Sequence, residues 1–317
     1  MSFLAWMRNN RWSFSVLGVL VLWGLLSGIT SHFNLNSLSG VASSASFLMI
    51  VAIGQMFVVA SGSGNIDLSI PGVITLSAYV TLILSQGTNA GLLLALPAVL
   101  AIGLITGAAN AFLVLKLRIP AIIATLAVGY VLDSAALIAN RALDTFTVSS
   151  LLRSIASARL AGVPTILLLA LVLIAITGGV IKGTTYGRTL MAVGQNATAA
   201  HLAGAKVGRT ISIAFLVSSV LGALDGALLS AHTGGAFLQM GEPYLLQSVG
   251  AVVIGGTLIA GGSATALGTF FGSILLVLVV TTMQVSGWSS GLQEVVQGAI
   301  IIAILAAAGS GLSRRSA

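Results

Sequence analysis

The chain of 317 residues contains no cysteine, which excludes disulfides, thiolate metal sites and a cysteine nucleophile. Charge is nearly as scarce. Only 6% of the residues are Asp, Glu, Lys or Arg, against about 25% in a soluble domain. A water-soluble fold of this length cannot cover its surface with so few charges, so lipid is its main solvent. The three histidines, His32, His201 and His232, show no metal-ligand spacing. No H-E-x-x-H, G-x-S-x-G or G-x-x-x-x-G-K-[ST] segment occurs either, so no catalytic, metal or P-loop nucleotide site is visible. The expectation is a chain without cofactor or metal that performs no covalent chemistry. Its +7 balance, 13 basic against 6 acidic residues, is read as membrane orientation and not as a nucleic-acid surface.

Apolar residues are what is plentiful, at 57% of the chain and a mean hydropathy of +1.11. A transmembrane helix needs about 20 predominantly apolar residues. Ten such stretches are present, at 13–31, 42–62, 67–86, 91–115, 120–140, 162–181, 210–231, 244–260, 265–285 and 292–309. The first follows Arg8 and Arg11 but has no clear small-x-small cleavage site, so it reads as a retained helix. The predicted fold is all-α: one polytopic membrane bundle over 1–317, with about ten transmembrane helices. Placing both ends in the cytoplasm puts Arg8, Arg11, Lys116, Arg118, Lys182, Arg188, Lys206, Arg209, Arg314 and Arg315 inside. Only Arg141, Arg153 and Arg159 then lie outside, which satisfies the positive-inside rule. The segment 141–161 reads as a short amphipathic helix on the outer face. The G-x-x-x-G spacings Gly103–Gly107, Gly222–Gly226 and Gly268–Gly272 read first as close packing within the bundle and second as a dimer seam. Gly62-Ser63 and Gly72 recur as Gly262-Ser263 and Gly272, a faint internal echo.

The connector 182–209 is the longest polar interruption between the later spans. Asn196 suits an N-cap, 197–203 are helix formers and Gly204 suits a C-terminal stop. The resulting two turns are too short to be stable alone, so the element needs a partner surface. A plain solvated loop is the alternative.

The connector "YGRTLMAVGQNATAAHLAGAKVGR" resembles the coupling loop of permease subunits of ribose/xylose/arabinose/galactose-type bacterial ABC importers. Ala192, Val193, Gly194, Asn196, Ala199, Ala200 and Gly204 match that family's pattern. "GNIDLSIPG" at 64–72 is similar to its G-G-I-D-L-S-V-G motif, and "AVVIGGTLIAGGSATALGTFFGSILL" at 251–276 to a third motif, in the family's order. The resemblance implies a vitamin-B12-importer-like architecture in the bacterial inner membrane, working as a homodimer. Cytoplasmic ATPase subunits would dock on the connector and a periplasmic or secreted sugar-binding protein on the outer face. The coupling residues would be Gly194, Gln195, Asn196, Ala199, Ala200, His201 and Gly204. Ala197, Thr198 and His201 stand where the family often has charges, and Asp133 where relatives often carry Arg.

Candidates for the path are Gln55, Asn65, Asp67, Asn110, Asp133 and Asp225. Asp133 and Asp225 fall inside spans, where ionisable groups are costly and functional by default. Their bland role is a protonated or hydrogen-bonded carboxyl, and that of Asp67 is an N-cap for the next helix. Gln55, Asn110, Gln284 and Gln297 suit sugar hydroxyls, and equally suit bonds between helices. Glu242 and Glu294 are expected at outer span ends. The function expected is import of a sugar or polyol, driven by ATP hydrolysis in a partner subunit. The rival is an ion-coupled secondary transporter with Asp133 or Asp225 as relay.

Overall fold

A computed structural model describes residues 12–30, 35–143 and 146–313. Arg8, Arg11, His32, Arg314 and Arg315 lie outside the described residues. Within them, thirteen helices and one small hairpin follow in order. They are α1 (Ser13–Thr30), α2 (Leu35–Ala60), α3 (Ile70–Ser85), α4 (Leu92–Leu115), α5 (Ala121–Arg141) and α6 (Ser150–Ser157). Next come β1 (Arg159–Leu160), β2 (Val163–Pro164), α7 (Thr165–Gly183), α8 (Thr185–Gln195) and α9 (Ala197–Leu202). The last are α10 (Val207–Thr233), α11 (Glu242–Ile254), α12 (Ala266–Val285) and α13 (Ser290–Ser313). The two strands pair antiparallel.

Each of the ten apolar stretches falls on a helix. Among the described residues, six helices are long and apolar enough to cross a bilayer: α2, α4, α5, α7, α10 and α12. Two of the expected spans are short. α3 has 16 residues and α11 has 13, which at 1.5 Å per residue reach about 24 Å and about 20 Å, less than a hydrocarbon core of about 30 Å. The chain before α3, residues 61–69, and the chain around α11, residues 234–241 and 255–265, is irregular.

These two short helices begin at one place. A side chain on Gly241, just before α11, would strike the Pro71 backbone in the first turn of α3. The Gly241 N–H donates to Thr75 Oγ1 at 3.1 Å. Both helices carry proline in the first turn, Pro71 and Pro243, where its missing N–H costs nothing. From there they run apart. α11 descends to the end of the bundle that holds the connector, where the Ile254 carbonyl accepts from Ser15 Oγ at 2.9 Å. α3 rises to the far end, where Tyr79 Oη donates to Asn140 Oδ1 at 2.8 Å. Glu242, expected at a span's outer end, instead starts α11 beside the first turn of α3.

α10 is the central helix, packed on α2, α3 and α4. Small residues permit that approach. A Cβ on Gly107 would lie 2.6 Å from Leu216 Cα, and one on Gly103 2.7 Å from Val220 Cα. Gly226 meets the Ile74 backbone, and Gly268 and Gly272 meet α11. These three G-x-x-x-G pairs have packing partners inside the chain, whereas another pair, Gly24 and Gly28 of α1, meets nothing within 4 Å. Gly107→Val is therefore expected to destabilise by about 1–3 kcal/mol through overpacking. Gly179→Val, which meets nothing within 4 Å, is the neutral control. Thermal denaturation of the purified variants checks this.

The amphipathic segment forms α6 at the far end. Ser149 caps it by accepting from Leu152 N, and Leu152 and Ala156 are its buried face. Ser157 Oγ lies 3.1 Å from His232 Nδ1, near the end of α10.

Candidate functional site

Three places collect the residues singled out above. The first is the connector. Asn196 accepts from Ala199 N at 2.9 Å and caps α9. Gly204 takes a left-handed φ of 87°, and Ala205 N donates to the Ala200 carbonyl at 2.9 Å, closing the helix as expected for a C-terminal glycine. Gly194 is buried where three backbones converge. A Cβ there would overlap the Ala60 carbonyl and Gly262 N, and one on Gly261 would overlap Gly62 Cα. The Gly262 N–H donates to the Ala60 carbonyl at 3.0 Å, and Gln195 Nε2 donates to the Gly262 carbonyl at 3.2 Å. The Gly62-Ser63 and Gly262-Ser263 turns, far apart in sequence, thus meet each other and the end of α8. Both turn glycines have positive φ, 77° and 75°, a conformation that only glycine adopts without strain. Tyr186 of α8 ties the connector to α10 by donating to the Thr210 carbonyl at 3.3 Å; burial pushes its phenol above the ordinary tyrosine range.

On α9, Ala200 is buried while Gln195, Asn196, Ala199, His201 and Gly204 are exposed. Leu202 is 82% exposed. This leucine ends the two-turn helix as an exposed apolar side chain within a mostly polar connector, a contrast legible in the sequence.

The second place is a buried polar network near the connector end. Asp67 is 1% exposed. Its Oδ1 accepts from Ser69 N at 3.0 Å, Ser69 Oγ at 2.6 Å and Asn110 Nδ2 at 3.4 Å. Asn110 Nδ2 also donates to Ser69 Oγ at 2.8 Å, and Asn65 Nδ2 to Ser61 Oγ at 2.9 Å. Gln55, with its amide oriented to satisfy both ends, pairs with the Asp67 backbone N–H and carbonyl at 3.3 Å. Thr125 Oγ1 accepts from Leu68 N at 2.9 Å and donates to the Ile66 carbonyl at 3.2 Å. Irregular backbone survives at membrane depth only when its polar groups are satisfied by protein, and this network does that for 61–69. The N-cap expected of Asp67 is corrected: Ser69 occupies the N-cap of α3 and makes no side-chain cap bond. Asp67 binds the loop together instead. Asp67 Oδ2 and Asn110 Oδ1 are buried without a well-formed hydrogen bond, and the Ser218 and Ser219 hydroxyls of α10 approach the Asp67 carboxyl.

The third place is a cavity of about 320 Å³ in the far half, between α2, α10, α11 and α12. Its polar lining is Ser44, Thr233, Gln247, Thr281 and Gln284, with Phe237 and Tyr244 beside them and no charged residue. Gln247 Nε2 is steadied by Gln297 Oε1 at 2.9 Å. Of these residues, only the two glutamines Gln284 and Gln297 were singled out in the sequence. Small hydroxyl residues carry no signal, because in helices they bond back to their own backbone, as Thr233 does to the Leu229 carbonyl at 3.0 Å.

The two intramembrane acids part company. Asp225 is fully buried on α10, with both carboxyl oxygens unpaired. Asp133 is exposed on the flank of α5, its Oδ1 3.2 Å from where a Cβ on Gly72 would stand. It lies eight residues before Arg141, the end of α5, or about 12 Å along the helix. Glu242, also exposed, acts on it electrostatically. Gln55, Asn65, Asp67 and Asn110 thus form one site, and Asp133 and Asp225 belong to others.

Residues 37–305 match the family described as branched-chain amino acid transport system / permease component. The autoinducer 2 import system permease protein LsrC of Enterobacter sp. (strain 638) is 29% identical over 94% of this chain and 86% of its own. The probable ABC transporter permease protein y4mJ of Sinorhizobium fredii is 31% identical over 93% and 89%. The inner membrane ABC transporter permease protein YjfF of Escherichia coli K12 is 32% identical over 94% and 91%. No solved structure matches. Matched over most of its length and carrying six helices apolar enough to cross a bilayer, the chain belongs to this family of multi-pass membrane permeases, a family of transport components and not of enzymes.

Proposed function

We propose that this is the permease subunit of an ABC importer that carries a sugar or polyol across the bacterial inner membrane. The observation that carries the substrate class is the far-end cavity. Hydroxyls, amides and two aromatic faces line it without a charge, which suits a neutral polyhydroxyl solute and offers a zwitterionic amino acid no side-chain counter-ion. An autoinducer 2 permease among the relatives supports a non-amino-acid substrate.

The connector end faces the cytoplasm in this reading. Lys116, Arg118, Lys182, Arg188, Lys206 and Arg209 gather there, against Arg141, Arg153 and Arg159 at the far end, as the positive-inside rule requires. A separate ATPase subunit docks on α9, with Leu202 at the contact. A sugar-binding protein delivers solute to the far end. Ten apolar helices then pack in a vitamin-B12-importer-like arrangement, α3 and α11 serving as half-length elements. Asp133 and Glu242 sit exposed inside the apolar belt, where a lipid-facing carboxylate is costly. A second copy of the permease covers that flank.

The test is reconstitution with the candidate ATPase and binding protein. ATP-dependent sugar uptake is expected; uptake that persists without ATP and collapses with an ionophore overturns the reading in favour of ion coupling. Gln284→Leu is expected to lower uptake about tenfold, the worth of one to two buried hydrogen bonds, without lowering the thermal midpoint. Transport kinetics beside a melting curve check it.

A further inference from the structure

Asp225 has no part in the cavity described above, yet it is 0% exposed and neither carboxyl oxygen has a hydrogen-bond partner. An unpaired acid inside a membrane bundle is retained for function. Its place on α10 says which. Leu229 and Thr233 line the far-end cavity, and Asp225 lies four residues before Leu229, on the same helix face one turn deeper. Tyr244 joins the two. Its side chain lines the cavity and is within electrostatic reach of the Asp225 carboxyl, without being bonded to it. On the neighbouring helix, Ile74 of α3 packs against Gly226, and Ser77, one turn further along, has a buried hydroxyl without a partner.

We propose that Asp225 is an occluded sugar-binding station of the path, and that Tyr244 is the gate between it and the far-end cavity. This rests on the far-end cavity being the solute's entry. A carboxyl buried without a cation stays neutral, donating through its O–H and accepting on its other oxygen, so two neighbouring hydroxyls of one polyol satisfy both orphaned atoms at once. The uncharged hydroxyl, amide and aromatic lining just above selects that class of ligand in place of a cation. As the gate, the Tyr244 ring separates the cavity it lines from Asp225, and its displacement opens the way one helical turn deeper.

The absence of native cysteine makes accessibility measurable without background. Single Thr233→Cys and Asp225→Cys variants, the latter with and without Tyr244→Ala, are treated in spheroplasts with a membrane-impermeant methanethiosulfonate. Thiol labelling requires water access, so Thr233→Cys is expected to react at least about ten times faster than Asp225→Cys. Adding Tyr244→Ala should bring the two within about threefold. Asp225→Cys reacting as fast as Thr233→Cys while Tyr244 is present, or staying unreactive without it, overturns the gate. An unreactive Thr233→Cys instead overturns the cavity as entry, so the two failures are distinct. For the ligand, the best-transported of ribose, xylose, arabinose and galactose is the probe. Asp225→Leu should raise its KM at least about tenfold, as expected where a site built for hydroxyls loses its polar partner. Its thermal midpoint should not fall, because no native partner is lost. An unchanged KM overturns the station.

Discussion

Gly194→Val is expected to abolish ATP-driven uptake, by about a hundredfold or more, while the chain still inserts and its ATPase partner still turns over. The reason is geometric. Gly194 ends α8 against the Ala60 carbonyl and Gly262 N, with backbone on every side and no flexible side chain to yield. Overpacking at such a contact forces backbone apart. The displacement falls where the end of α8 meets both the 61–69 loop and the 255–265 loop, the joint that the proposed push on α9 would use. It also pulls Gln195 from the Gly262 carbonyl, now 3.2 Å away. ATP hydrolysis then proceeds without moving the path. Asn196→Ala, which removes the cap of α9, should cost about 1 kcal/mol of local stability and reduce coupling in part. Gly208→Val, which meets nothing within 4 Å, is the control. Parallel assays of sugar uptake and phosphate release in proteoliposomes decide the matter; a Gly194→Val protein that transports normally would show that the connector is not the coupling element.

Asp67→Leu carries the largest expected loss of stability. Its Oδ1 is the acceptor for Ser69 N, Ser69 Oγ and Asn110 Nδ2. Each buried donor stranded costs about 1–3 kcal/mol. Asn110 keeps its bond to Ser69 Oγ at 2.8 Å, so the net expectation is about 3–5 kcal/mol, enough to remove most folded protein. Asp67→Asn retains an acceptor oxygen at the same place and should lose about 1 kcal/mol. Yield of monodisperse protein and its melting temperature separate the two. Equal behaviour of the leucine and asparagine variants would show that the network does not hold the loop.

Lipid as solvent made the helices legible from the sequence, because each needs a long apolar run and each run fell on a helix. It also hid the half-length of α3 and α11. The flanking loops are themselves partly apolar, with Ile66 and Leu68 on one side and Leu258 and Ile259 on the other, so run length counts across the break. Pro71 and Pro243 mark the true starts, but a proline early in a long span reads as ordinary. The connector was legible because capping is local: Asn196 and Gly204 act within a few residues. The network was legible only as separate polar residues. Asp67 and Asn110 are 43 positions apart, and their meeting depends on how α4 crosses the loop before α3. The same holds for Asp133 and Asp225, alike in sequence as acids within spans, one on an outer flank and the other in the core.

α3 and α11 begin within the bundle, side by side and pointing apart. Each helix N-terminus carries roughly half a positive charge from its aligned peptide dipoles. Glu242 opens α11 and Asp133 stands beside Gly72 in the first turn of α3, so each of the two ends keeps a carboxyl where its dipole favours negative charge. Two acids that look misplaced in an apolar belt thus help to hold both helix starts at one depth.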